Sequence, residues 1–268
     1  MITRLLSAAV GICVLLAIVL SGNITVLSIA LSVLTLLGMY ELYKTFGFIK
    51  KPLIVISGAA MSLVVLFSGK IPFEFIAGLL FVYVIVLVCQ LLADREGFGF
   101  TGLATACFCM IYVPLPLKLL LEMRCGDAGF FLLWIALGGA WVTDSFAYFS
   151  GMLFGKHKLC PNISPKKTIE GSVGGTLCTV LVGLLYGFLV SKYGNIDVNY
   201  ISLGVLSLVC AVVSQLGDLT ASVIKREKGI KDFGNLMPGH GGFMDRFDSM
   251  LFVAPAVFVF NMIFPVFF

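Results

Sequence analysis

The feature that most constrains this chain is that its apolar residues come in blocks of about twenty, one after another along nearly its whole length. A helix needs about 20 mostly apolar residues to cross the hydrocarbon of a bilayer. Such stretches fall at about 5–21, 24–41, 52–68, 74–93, 99–121, 128–154, 172–190, 200–224 and 249–268. Only 12% of the 268 residues are charged while 60% are hydrophobic, and a soluble domain carries about twice that charge. A cytosolic enzyme, a nucleic-acid-binding module and a disordered chain are therefore excluded. The expectation is an all-α, polytopic integral membrane protein of about nine transmembrane helices. It is read as one domain, with apolar spans in 1–130 and the polar, chemistry-bearing half in 131–268.

Residues 5–21 behind Arg4 also read as a signal peptide, but no small-x-small cleavage site follows, so the stretch is kept as a span. Pro114 and Pro116 fall inside the fifth stretch, where neighbouring helices can satisfy the carbonyls they free. With nine spans the connections alternate sides, and the cations separate accordingly. Arg4, Lys44, Lys50, Lys51, Arg95, Lys156, Lys158, Lys166, Lys167, Lys225, Arg226, Lys228, Lys231 and Arg246 share one side; Lys70, Lys118, Arg124 and Lys192 share the other. Fourteen of the 18 Lys and Arg on one side place the N-terminus in the cytoplasm by the positive-inside rule. The long connections 155–171 and 225–248 then face the cytoplasm together, and the protein belongs in the cell (inner) membrane among its lipids.

The 8 cysteines lie mostly inside apolar runs with no C-x-x-C pair, which is how small buried hydrophobes are used. Two histidines, His157 and His240, are too few for a multi-histidine metal site. Polar groups inside spans are expensive and are functional candidates by default. Asp144 lies about ten residues, or roughly 15 Å, before the end of its span, with Tyr148 and Gly151 at i+4 and i+7 on its face. The connection that follows carries Lys156, Lys158, Lys166 and Lys167 with Gly151, Gly155, Gly171, Gly174 and Gly175, which reads as a flexible cationic segment, together with Thr168, Glu170 and Ser172. A cluster of that kind can also do no more than set topology or attract anionic head groups.

The densest region is 215–249. Asp218, Ser222 and Lys225 line one helical face, the chain leaves the membrane through Arg226, Lys228 and Lys231, and it returns with Asp245 and Asp248. Gly239, His240, Gly241 and Gly242 form a turn whose backbone N–H groups can approach an anion closely. Several aspartates without histidine or thiolate company suit a hard cation, Mg²⁺ above all, which binds phosphate and water as readily as carboxylate. With lysine and arginine nearby the residues argue for phosphoryl or nucleotidyl transfer, on a lipid substrate given the apolar surroundings.

The string Ser222-x-Ile224-Lys225-Arg226, Lys231-Asp232-x-Gly234, Pro238-Gly239-His240-Gly241-Gly242-Phe243-x-Asp245-Arg246-Phe247-Asp248 resembles the signature of the phosphatidate cytidylyltransferase, or CDP-diacylglycerol synthase, family. Asp144-Ser145-x-Ala147-Tyr148-x-x-Gly151, Ser164-Pro165-Lys166-Lys167-Thr168-x-Glu170-Gly171 and Gly217-Asp218 are similar to the family's other blocks. Residues 1–130 match only as apolar spans, and Met237 stands where the family has Leu, Ile or Phe. The resemblance implies condensation of CTP with phosphatidic acid to CDP-diacylglycerol and pyrophosphate, with Mg²⁺; two divalent ions, or a divalent with a monovalent cation, are arrangements it leaves open. It implies Asp218 and Asp245 as the principal metal carboxylates and Asp144 and Asp248 as supporting ones. Lys225, Arg226, Lys231, Arg246, Lys166 and Lys167 would hold phosphate oxygens, with Ser222, the glycines 239, 241 and 242, and His240 beside them. A homodimer is one arrangement to test; nucleic acid has no place. An ion-coupled transporter with Asp144 and Asp218 as ion ligands and a polyprenol kinase are the competing classes. The D-G-x-x-A-R pattern of CDP-alcohol phosphatidyltransferases is absent.

Overall fold

The computed structural model describes residues 2–236 and 241–268. The helices among them are α1 (Ile2–Leu20), α2 (Ile24–Thr45), α3 (Pro52–Leu66), α4 (Phe73–Ala93), α5 (Gly99–Tyr112), α6 (Pro114–Cys125), α7 (Gly129–Phe154), α8 (Ile169–Gly194), α9 (Tyr200–Glu227), α10 (Met244–Phe247) and α11 (Met250–Ile263). The all-α architecture is as expected, with one addition: β1 (Lys158–Cys160) and β2 (Ser164–Thr168) pair as an antiparallel hairpin. Among the described residues six helical stretches are long and apolar enough to cross a membrane, at 24–45, 73–93, 99–125, 129–154, 169–194 and 200–227. Shorter apolar helices at Ala9–Leu20, Pro52–Leu66 and Met250–Ile263 account for the other three expected blocks. The fifth stretch is two helices, broken at Val113, because Pro114 has no N–H to continue the ladder and its ring crowds the turn before it.

Residues 1–122 and 230–246 make one compact unit. Its core is set by a tyrosine pair: Tyr43 of α2, 1% exposed, meets Tyr83 of α4 hydroxyl to hydroxyl at 3.2 Å. A side chain at Gly58 of α3 would collide with the Tyr43 hydroxyl, so the glycine makes room for the ring. Lys51, the residue that caps α3, pairs with Asp94, the residue that ends α4. Lys51 and the N–H of Gly97 hold the Asp94 carboxyl below the usual carboxylate range.

Residues 123–229 and 247–268 make the second unit, in which α7, α8, α9 and α11 pack together. Glycine decides how closely α7 and α8 approach. A Cβ built at Gly175 would lie 2.9 Å from both Thr143 O and the Ala147 Cβ, and one at Gly171 would lie 2.6 Å from Ala147 O. Small residues four apart let helix backbones meet in an apolar medium, where van der Waals packing replaces the hydrophobic drive. Thr143 and Thr179 close the same seam with a 2.8 Å hydroxyl pair. At one end of this unit the C-terminal residues pair with the α8–α9 connection, through Asn199 N–H to Val266 O and Phe268 N–H to Asp197 O. The hairpin and the 248–249 turn lie at the other end, where the Arg226 Nε donates to Ile163 O at 3.4 Å.

Gly175→Ala is expected to lower stability by about 1–3 kcal/mol through overpacking. Gly78→Ala on α4, where nothing lies within 4 Å of the added methyl, is expected to be neutral or to gain up to about 1 kcal/mol from helix propensity. Thermal unfolding of the two purified variants in one detergent checks the contrast.

Candidate active site

In the second unit the candidate groups gather around the hairpin. β2 runs straight into α8: Thr168 caps the helix by accepting the Gly171 N–H at 3.1 Å. Glu170 in the first turn of α8 takes the N–H groups of Lys156 at 3.0 Å and His157 at 3.2 Å, and bonds the His157 ring at 2.7 Å. Thr168 and Glu170 thus hold the hairpin rather than facing a substrate. The glycines read as making this segment flexible do something else: Gly151, Gly171, Gly174 and Gly175 are helical residues, and the last three have no room for a side chain against α7.

Successive residues of a strand point to opposite faces, and this divides the two lysines of β2. Lys167 forms an ion pair with Asp218 of α9, whose other oxygen accepts from Ser222 at 3.5 Å. Lys166 is exposed. Asp144 of α7 accepts a 3.1 Å hydrogen bond from the Ser249 hydroxyl, while Tyr148, its expected companion, is 67% exposed. Asp248 is 7% exposed and accepts the Ser249 N–H at 2.8 Å. Burial pushes the Asp248 carboxyl up to about 7, with the negative charge of Asp218 adding to the rise and that of Asp144 contributing; the Ser249 N–H and Lys225 oppose it. Asp144, Asp218 and Asp248 therefore act on one another, and Lys167 and Lys225 act on them. Gly217 lets the 248–249 turn sit against α9, since a Cβ there would lie 2.7 Å from Asp248 O. Behind the cluster the Ser172 hydroxyl donates to Gln215, whose amide donates to Thr176 at 3.2 Å and to Ala211 O at 3.1 Å.

A separate cleft of about 140 Å³ lies among α7, α8 and α9, lined by Trp134, Gly138, Val142, Val182 and Tyr186 among others. Its lining has no carboxylate, lysine or arginine, so phosphate chemistry has no foothold there.

In the first unit the turn 241–246 begins at Gly241 with φ +85°, a left-handed conformation that favours glycine. Asp245 accepts the N–H groups of Phe233 at 2.8 Å and Gly242 at 2.9 Å on one carboxylate oxygen. Glu41 of α2, 3% exposed, accepts the N–H groups of Phe243 and Met244, each at 2.9 Å. Lys231 and Arg246 are exposed. Gly239 and His240 lie outside the described residues.

Sequence reasoning missed Glu41 and Ser249. Glu41 had a signal, because it is a carboxylate at the end of an apolar stretch and the rule that singled out Asp144 applies to it equally. Ser249 had none, since a serine beside an aspartate is common at any helix start.

Among the described residues no group of three or more His, Cys, Asp or Glu side chains is gathered closely enough to hold a metal ion. The chemistry of the donors is nonetheless that of a hard divalent cation: three carboxylates whose charges act on one another would be relieved by a cation that draws further ligands from water and phosphate.

The apolar helices define a multi-pass membrane protein, and the acids and lysines give it a polar end suited to phosphate. The chain belongs to the cytidylyltransferase family, whose pattern matches residues 2–264. It is 34% identical over 259 residues to the phosphatidate cytidylyltransferase of Staphylococcus epidermidis, covering 94% of this chain and 95% of the relative. The proteins of the same name from Staphylococcus aureus and Staphylococcus haemolyticus are 35% and 33% identical over 256 and 258 residues, with the same coverage.

The raised Asp248 carboxyl generates a test. An unfolded aspartate titrates near 3.9, so the folded protein binds the extra proton. The stability this gives is full below about pH 4 and is lost as pH rises through about 7. With chelator present, the melting temperature is expected to fall between pH 5 and pH 8. Asp248→Asn should flatten that fall, and added Mg²⁺ should oppose it in the unmodified protein only.

Proposed function

We propose that this protein is a phosphatidate cytidylyltransferase whose polar end joins CTP to phosphatidic acid. The observation that carries the reading is the Lys167–Asp218 pair standing with Asp144, Asp248 and Lys225 at one end of an apolar bundle. A lipid phosphate and a nucleotide triphosphate both need cations there, and the acids need a counter-charge.

In the reaction, a phosphate oxygen of phosphatidic acid attacks the α-phosphorus of CTP. A new phosphoanhydride bond forms as the bond from the α-phosphorus to its β-bridging oxygen breaks, and pyrophosphate leaves with the electron pair. Asp218, Asp144 and Asp248 would hold Mg²⁺, which when bound neutralises charge on the triphosphate and its leaving group. Lys167 in the present arrangement neutralises Asp218, and a bound phosphate would compete with that carboxylate for its ammonium. Lys225 and Arg226, about two helical turns beyond Asp218, supply further positive charge at the end of α9, and Ser222 keeps the Asp218 carboxylate oriented. No general base is required, because a phosphate monoester dianion already carries its nucleophilic oxygen. The resemblance assigns metal duty to Asp245 as well, and phosphate binding to Lys166, Lys231, Arg246 and the turn glycines. The distribution of cations along the chain supports a site on the cytoplasmic face of the cell membrane.

Purified protein given phosphatidate and CTP labelled at the α-phosphorus is expected to place the label in lipid, whereas γ-label should appear only in pyrophosphate. Transfer of γ-label to lipid would identify a kinase instead. Chelator should abolish the product. Asp218→Asn should lower turnover at saturating Mg²⁺ by about 100-fold or more, the scale of losing one preorganised charge at a reacting centre. Near-normal turnover of Asp245→Asn under the same conditions would remove that residue from the metal site.

A further inference from the structure

Three successive backbone N–H groups of the 241–246 turn are taken by two carboxylates. Asp245 takes that of Gly242, together with that of Phe233, and Glu41 takes those of Phe243 and Met244. Asp245 belongs to the turn itself, but Glu41 comes from α2, some two hundred residues earlier. Its carboxylate uses a separate oxygen for each N–H, Oε1 for Phe243 and Oε2 for Met244. The surroundings are shaped to admit it. A Cβ at Gly242 would lie 2.5 Å from Oε1 and 2.6 Å from Oε2, and one at Gly234 would lie 2.6 Å from Oε1. A glutamate that is 3% exposed on a helix of apolar residues is costly unless its charge is answered, and here the answer is backbone.

We infer that Glu41 is a positioning residue for the reaction: it fixes the peptide planes of the turn from which the Asp245 and Arg246 side chains leave. It touches neither substrate nor metal in this role and acts through the turn. Geometry explains why glutamate is suited. Glutamine has the same length but one acceptor oxygen, so one of the two N–H groups would face an amide NH₂. Aspartate is one methylene shorter and would withdraw both oxygens from N–H groups that now sit at 2.9 Å. A misplacement of about 1 Å at supporting residues is enough to cost two orders of magnitude in rate.

The inference rests on the proposed reaction only in its activity arm, so the test has two. In full-length protein in nanodiscs, Glu41→Gln is expected to raise amide hydrogen exchange across 241–246 by tenfold or more, with exchange along α2 unchanged and the melting temperature within a few degrees. In the product assay it should lower kcat for CDP-diacylglycerol formation by tenfold or more while leaving KM for phosphatidate within twofold. Gly234→Ala, which displaces the carboxylate without removing its charge, should give the same pattern and decides the matter if Glu41→Gln does not accumulate in membranes. Unchanged exchange at 241–246 in both variants would overturn the inference, as would raised exchange with kcat within twofold of the unmodified protein. Failure of the unmodified protein to make CDP-diacylglycerol would instead overturn the proposed reaction, leaving the exchange arm to judge whether Glu41 holds the turn.

Discussion

A carboxylate among apolar helices has to be answered by something, and in this protein four such groups are answered in different ways. A charged residue at the centre of a bilayer costs about 3 kcal/mol on insertion scales, and each hydrogen bond to a charged group returns about 1.5–3 kcal/mol. Glu41, with an N–H on each oxygen, has part of that cost offset by backbone and can serve as structure. Asp218 has a lysine and a hydroxyl. Asp144 has the Ser249 hydroxyl with Lys167 acting on it, and Asp248 a neighbouring N–H and the charge of Lys225, with two other carboxylates acting on it. Asp218 is answered by side chains, which can move, and Asp144 and Asp248 act on it and on each other; that separates the carboxylate that holds the fold from those able to take a cation.

Close helix packing makes this cluster possible. Without side chains at Gly171 and Gly175, α7 and α8 approach until their backbones nearly touch, which sets Asp144 and the root of β2 at one end of the same pair of helices. Gly217 does the corresponding work between α9 and the turn before α11. Glycines in a lipid-embedded bundle are therefore placed by contact rather than by flexibility, and the polar chemistry inherits its geometry from them.

Much of this was legible in the primary structure. Blocks of about twenty apolar residues mark the helices because the bilayer imposes that length, and Asp218, Ser222 and Lys225 share a face because the helix repeat requires it. Other features were hidden for physical reasons. Glycine has the same letter whether it loosens a loop or lets two helices meet, so Gly171 and Gly175 read as part of a flexible segment when they are packing contacts. The hairpin was invisible because strands of three and five residues are too short for alternation to register. The bond from Glu41 to the 243–244 backbone joins positions far apart in the chain, and only the folded structure brings them together.

The direct passage from β2 into α8 carries a last consequence, for where the chain can change length. Which face a strand residue shows is a matter of parity, and Lys167 gets its parity from Thr168 and the start of α8 rather than from the hairpin tip. Residues 161–163 can gain or lose members without swapping the two lysines. A single insertion between Lys167 and Ile169 would send the ammonium that now meets Asp218 to the opposite side of the ribbon. Natural length variation in this region should accumulate at the tip and stop short of the strand's last residues.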